Sequence, residues 1–124
     1  MLKEQDRIRP QFGEIWMCDL SGRDGSVQSG YRPVLVISND KNNTYSSVVN
    51  IIPITTKMSK RLPVHVEIWN YQKYGLKAPS TMLVEQITTV NADSLERKIG
   101  NVRDRNVLFQ INKAMLVQFP VLSA

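Results

Sequence analysis

Arg32-Pro33-Val34-Leu35-Val36-Ile37 is a short, unbroken apolar run between two stretches that cannot be core. It reads as a buried strand, with Pro33 at its start, where a missing N–H is tolerated. Before it, Ser21 to Gly30 (SGRDGSVQSG) holds three glycines and three serines with one large apolar residue, and so reads as a flexible loop. After it, Ser38 to Asn43 (SNDKNN) is turn chemistry. Upstream, a strand starts at Phe12, with Phe12, Glu14, Trp16 and Cys18 on one face and Ile15 and Met17 on the other. Downstream, Val48 to Ile54 is a second β-branched run with Pro53 near its end, and Val64 to Ile68 alternates strictly. Thr81 to Val90, preceded by Pro79, is a further strand.

The last quarter turns helical. Asp93 followed by Glu96 has the spacing of an N-cap with its reciprocal partner, and Gly100 suits a stop. Asp104 then caps a longer helix, in which Val107, Leu108, Ile111, Met115 and Leu116 recur at helical spacing until Pro120. Short strands followed by one amphipathic helix predict an α+β, mainly β domain: a small, curved antiparallel sheet or barrel covered by a helix. No repeat, low-complexity tract or linker divides it. The expected organisation is a polar, frayed N-terminal arm over residues 1–11 and a single domain over 12–120.

The chain has 124 residues and a formal net charge of +5, which suits a polyanionic partner such as RNA. Cys18 is the one cysteine, so no disulfide can form within the chain, and a reducing compartment is expected. Residues 1–10 lack the apolar stretch of a secretory signal, and no apolar run approaches the roughly 20 residues that span a bilayer. A cytoplasmic protein without membrane contact is expected.

Several chemistries are excluded by composition. With one histidine, His65, acid/base cleavage of RNA by two histidines is impossible within one chain. His65 itself reads as a strand residue between two valines. No His or Cys pair has metal-ligand spacing, and no carboxylate cluster suits two metals. Walker A, G-x-G-x-x-G and G-x-S-x-G patterns are missing, so neither a metal nor a cofactor is expected. One nuclease chemistry survives. RNA carries its own nucleophile, the 2′-OH, and the protein need only orient it and stabilise the anionic pentacoordinate phosphate. Arginine does this well through its bidentate fork, and a Thr or Ser hydroxyl can assist.

Five segments in one order resemble a known family. They are Gly13-Glu14-Ile15-Trp16-x-x-Asp19-Leu20; Gly25-Ser26-x-Gln28-x-Gly30-x-Arg32-Pro33-Val34-Leu35-Val36-Ile37; Ile52-Pro53-Ile54-Thr55-Thr56; Leu62-Pro63-x-His65-Val66-Glu67-Ile68; and Leu83-x-Glu85-Gln86-Ile87-x-Thr89. Together they look like MazF/PemK-like toxins. The resemblance implies an SH3-like barrel with a C-terminal helix, a homodimer with an RNA groove, and an acidic, partly disordered antitoxin that folds across that groove. It also implies metal-independent cleavage of single-stranded RNA, leaving a 2′,3′-cyclic phosphate and a 5′-hydroxyl. By position, Arg32 and Thr55 fall on the catalytic pair. Ser26, Gln28, Asn39, Thr56, Lys57 and Gln86 fall where RNA contacts are expected. One departure stands out: many members carry Ser-Glu-Gln where this chain has Ser26-Val27-Gln28, so the loop acid is missing.

Each residue also has a plainer reading. Arg32 fits a strand-edge ion pair, Thr55 a β-branched strand end, and Gln86 a solvated side chain. Trp16 and Trp69 read as core or interface before they read as stacking platforms. Lys57, Lys60, Arg61, Lys73 and Lys77 fit a solvated surface or a phosphate track. At the level of the whole chain two rivals share the fold: a protein-binding poison like the gyrase-directed CcdB toxins, acting through the end of its C-terminal helix, and a non-catalytic SH3-like RNA-binding module.

Overall fold

The computed structural model describes residues 9–58 and 60–124. Seven strands, β1 (Glu14–Asp19), β2 (Tyr31–Val36), β3 (Val48–Thr55), β4 (His65–Ile68), β5 (Ser80–Leu83), β6 (Thr88–Asn91) and β7 (Leu95–Asn101), form one antiparallel sheet. Its order is β4-β5-β3-β2-β1-β7, with β6 paired to the first half of β3. Two helices accompany it, α1 (Asp40–Tyr45) and α2 (Arg105–Gln118). The expected mainly β fold with a C-terminal helix holds.

The central strands carry a core on each face. Ile15, Leu35, Ile52 and Ile54 pack with Val107, Ile111 and Ala114 of α2. Trp16, Cys18, Val34, Val36, Val49 and Ile51 form the second core, on the opposite face. This is why the Arg32–Ile37 run is continuously apolar rather than alternating: a strand covered on both sides has no wet face. Each large α2 side chain buried this way contributes about 1.5–3 kcal/mol. Tyr74, Leu76 and Val102 complete the helix-side core.

Five local expectations are corrected. Phe12 lies in a turn, and β1 begins only at Glu14, after Gly13 takes φ +86°. Residues 38–43 do more than turn: Asn39 caps α1 by accepting from the Asn42 N–H at 2.9 Å. The 81–90 strand is split by a 3₁₀ turn at Val84–Gln86, which lets β5 pair with the end of β3 and β6 with its beginning. The helix expected from Asp93 to Gly100 is strand β7. Its backbone groups pair with the outer edge of β1, and Lys98 bonds Glu14 of that strand at 2.9 Å, so tertiary pairing overrides the local capping pattern. Asp104 stands at the N-cap of α2 but its carboxylate does not cap. It accepts from the Tyr74 hydroxyl at 2.6 Å and from Lys73 Nζ at 2.9 Å, stapling the start of the helix to the 3₁₀ turn at Tyr71–Tyr74.

Residues 1–8 of the expected N-terminal arm lie outside the described residues. Where description begins, the chain is anchored: Pro10 is buried and the Gln11 N–H donates to Glu14 Oε1 at 2.8 Å. Among the described residues no helix is long and apolar enough to cross a membrane.

Candidate active site

Antiparallel register decides which polar side chains share a face, because directly paired residues point the same way and alternate along each strand. Arg32 pairs with Cys18, Val34 with Pro53, Thr55 with Thr81, Thr81 with Glu67, and Leu83 with His65. Arg32, Thr55, Thr81, Glu67 and His65 therefore lie on one face, along the rim of the second core. Carrying the β2–β3 register two residues past Val34–Pro53 brings Arg32 opposite Thr55.

Each member of that pair has one function occupied and another free. The Arg32 Nε donates to the Ser29 carbonyl. Its terminal nitrogens form no hydrogen bond among the described residues, so the two-pronged end of the guanidinium is available for an anion. Thr55 is buried, and its Oγ1 accepts from the Lys57 N–H at 3.2 Å. A hydroxyl that already accepts still has its proton to donate. The strand-edge ion pair considered for Arg32 does not form among the described residues.

A cavity of about 180 Å³ opens beside Thr55, lined by Gln28, Lys57, Lys60, His65, Glu85 and Gln86 among others. His65 Nε2 lies 3.1 Å from Glu85 Oε2, and its Nδ1 lies 3.3 Å from the Lys60 carbonyl. The other Glu85 oxygen, Oε1, and the side-chain oxygen of Gln28 are buried without a hydrogen-bond partner among the described residues. A buried acceptor left unpaired costs about 1–3 kcal/mol. Both residues line the cavity, so the two unpaired acceptors lie in its wall.

The Ser21–Gly30 loop is held over this cavity. Leu20 N–H donates to Gly30 O at 2.8 Å and closes its base. Gln86 Oε1 accepts from the Gln28 N–H at 2.8 Å, and Gln86 Nε2 donates to Ser26 O at 3.4 Å. Gln86 thus works as a clamp on the loop. Val27, where the family's loop acid is often found, is partly exposed.

The structure gathers Gln28, Thr55, Lys57 and Gln86 around one cavity, with Ser26 on the loop above and Arg32 on the shared face. Two expected residues stand elsewhere. Asn39 lies beyond the far end of β2 from Arg32, with its side chain engaged in capping α1. Thr56 alternates to the opposite face from Thr55 and lines a different cavity with Met17, Tyr31 and Pro33. His65 and Glu85, present in the quoted segments but not expected in the site, also line this cavity. His65 was legible only as a position in an alternating strand, and its partner lies twenty positions further along the chain. Among the described residues no three His, Cys, Asp or Glu side chains gather as metal ligands.

A buried hydroxyl, an arginine with a free fork and a cavity lined by two lysines share one face of a small antiparallel sheet, an arrangement chemically suited to an anion. The model of the PemK-like, MazF-like toxins of type II toxin–antitoxin systems matches residues 11–119, and this chain belongs to that family. It is 38% identical over 104 residues to the protein named Endoribonuclease MazF of Staphylococcus saprophyticus, covering 83% of this chain and 85% of the relative. It is 36% identical over 111 residues to Endoribonuclease EndoA of Bacillus subtilis, covering 89% and 94%. Among solved structures, MazF from Deinococcus radiodurans superposes with a TM-score of 0.75 at 18% identity, covering 95% of this chain and all of that one. A mycobacterial endoribonuclease in complex with its cognate antitoxin superposes at 0.74 and 23% identity, covering 90% and 96%. At those identities the two structures speak for the fold alone.

Proposed function

We propose that this protein is a sequence-specific, metal-independent endoribonuclease toxin that cleaves single-stranded RNA, mRNA included. The observation that carries the reading is the free donor capacity of Arg32 and Thr55 on one sheet face beside a basic cavity. The 2′-hydroxyl gives up its proton as its oxygen attacks phosphorus, and the 5′-oxygen leaves and takes up a proton, which yields a 2′,3′-cyclic phosphate and a 5′-hydroxyl. Arg32 donates to the non-bridging oxygens as charge builds on them, and Thr55 donates its hydroxyl proton to the same phosphate. Lys57 and Lys60 attract the backbone. Glu85 Oε1 and the Gln28 side-chain oxygen accept from N–H groups of a base, while Gln86 and Ser26 fix the loop that covers it.

Residues 12–120 form the working unit, acting in the cytoplasm as a homodimer. The inhibitor is a cognate antitoxin with an acidic segment, drawn to the basic face and blocking RNA. A decisive test is an RNA with a single 2′-deoxy nucleotide at the mapped cut. The mechanism requires that substrate to bind and stay intact; scission there would remove the 2′-OH as nucleophile.

A second reading has one observation in its favour. Val117, Val121 and Leu122 are exposed at the end of α2, the end a CcdB-like gyrase poison would use. Growth arrest that survives Arg32→Ala but is lost on truncation after Val117 would favour it.

A further inference from the structure

The chain has two tryptophans in opposite surroundings. Trp16 is 6% exposed in the second core, whereas Trp69, just past the end of β4, is 62% exposed. A large aromatic ring at that exposure contributes little to folding. Trp69 stands in a cleft of about 640 Å³ with Arg61, Leu62, Pro63 and Lys113. His65 lines both this cleft and the cavity beside Thr55, so the two adjoin across its ring.

Beside the ring, Glu67 accepts from Arg61 Nη2 at 2.8 Å. That pairing offsets the Glu67 charge, and Lys60 and Lys113 leave the joined surface basic. An exposed aromatic face with cations around it is the pattern that receives unpaired bases: the ring stacks and the cations take the backbone. A strand cut at Thr55 must continue past the cut on both sides, and the cleft beyond His65 is the adjoining basic surface.

We propose that Trp69 is a stacking subsite for a nucleotide flanking the scissile phosphate, and that the cleft behind His65 carries the RNA away from the cavity beside Thr55. This rests on the ribonuclease reading above. The occupant is single-stranded RNA rather than a peptide, because the cleft adjoins the cavity beside Thr55 across His65 and its exposed ring stands beside the cations Arg61 and Lys113.

The test uses the full chain and oligonucleotides carrying the mapped cleavage sequence, 2′-deoxy at the cut for binding and all-RNA for kinetics. Each is extended or trimmed on either side. With Trp16 buried, iodide-accessible fluorescence reports Trp69. Extended RNA on one side is expected to quench Trp69 and shield it from iodide, and trimmed RNA is not. Trp69→Ala should raise KM about 5- to 100-fold on extended substrate, leave KM on trimmed substrate and kcat unchanged, and be largely rescued by Trp69→Phe. Indifference of both fluorescence and KM to extension, in a protein that cuts RNA, overturns the subsite while leaving the activity intact. Quenching by an acidic antitoxin-type peptide but by no RNA also overturns it, and makes the cleft a protein-docking surface. If no RNA is cut at all, the activity reading fails, and quenching by single-stranded homopolymer RNA decides the subsite on its own.

Discussion

His65 and Glu85 meet between β4 and the turn after β5, with Nε2 and Oε2 3.1 Å apart, in the wall of the cavity beside Thr55, and the second Glu85 oxygen is left without a hydrogen-bond partner among the described residues. A carboxylate oriented by one partner and unpaired at its other oxygen is a ready acceptor for a base N–H. Glu85→Gln keeps the shape but halves the acceptor set. Cleavage is expected to weaken by about 5- to 150-fold, with relaxed preference at one position of the recognition sequence and no loss of thermal stability. Mapping 5′ ends of wild-type and variant products checks this; an unchanged recognition sequence would release Glu85 from base reading.

Gly75 makes a stability test remote from that cavity. It takes φ +78°, and a Cβ there would come within 1.9 Å of the Ile99 carbonyl oxygen, on backbone that cannot rotate away. Gly75→Ala should cost about 2–3 kcal/mol or more, whereas Gly22→Ala, at φ +89° with open space around it, carries only the backbone strain of about 1–2 kcal/mol. Urea midpoints of the two variants compare them directly. Equal losses would mean that the approach of β7 to the Tyr71–Gly75 turn adjusts freely.

What the sequence made legible follows from how local each signal is. The Arg32–Ile37 strand, the loop before it and α2 announce themselves through patterns within their own residues. So do Thr55 and Arg32 once their motifs are aligned. Strand β7 does not: Asp93, Glu96 and Gly100 spell a helix locally, and only the unpaired edge of β1, some eighty positions earlier, supplies the hydrogen bonds that make a strand better. Asn39 and Asp104 show the same limit, because whether a side chain caps a helix, binds RNA or staples a distant tyrosine depends on what folding brings beside it. Alternation alone would have separated Thr56 from Thr55.

Glu14 links the sheet to pH. Burial pushes its carboxyl up, but hydrogen bonds from Lys98, Trp16 and the Gln11 N–H outweigh that and hold it below its ordinary range. A carboxylate depressed in the folded state contributes stability that is full above its unfolded pKa, about 4.3, and is lost as pH falls through the folded value. Glu14→Gln should therefore be less stable than wild type above about pH 5, and the gap should close in acid. Denaturation midpoints across that range measure it; parallel curves would show that Glu14 titrates alike in both states.

Cys18 should be chemically silent. It is fully buried, and burial pushes its thiol up to about 11, so almost no thiolate exists near neutrality. Labelling by a thiol reagent at pH 8 is expected to follow unfolding, accelerating with urea. Rapid labelling of the native protein would contradict the packing of the second core.

The central claim is that Arg32 and Thr55 cleave RNA without a metal, and one assay addresses it most directly. A long, mostly unstructured RNA is incubated in excess EDTA with wild type and with Arg32→Ala, and the 5′ ends are mapped. The account predicts discrete cuts at a recurring short sequence by wild type, reduced by at least about 10²- to 10³-fold in a variant whose fold is intact. Cuts that vanish in EDTA, or that persist at wild-type rate without Arg32, would contradict it.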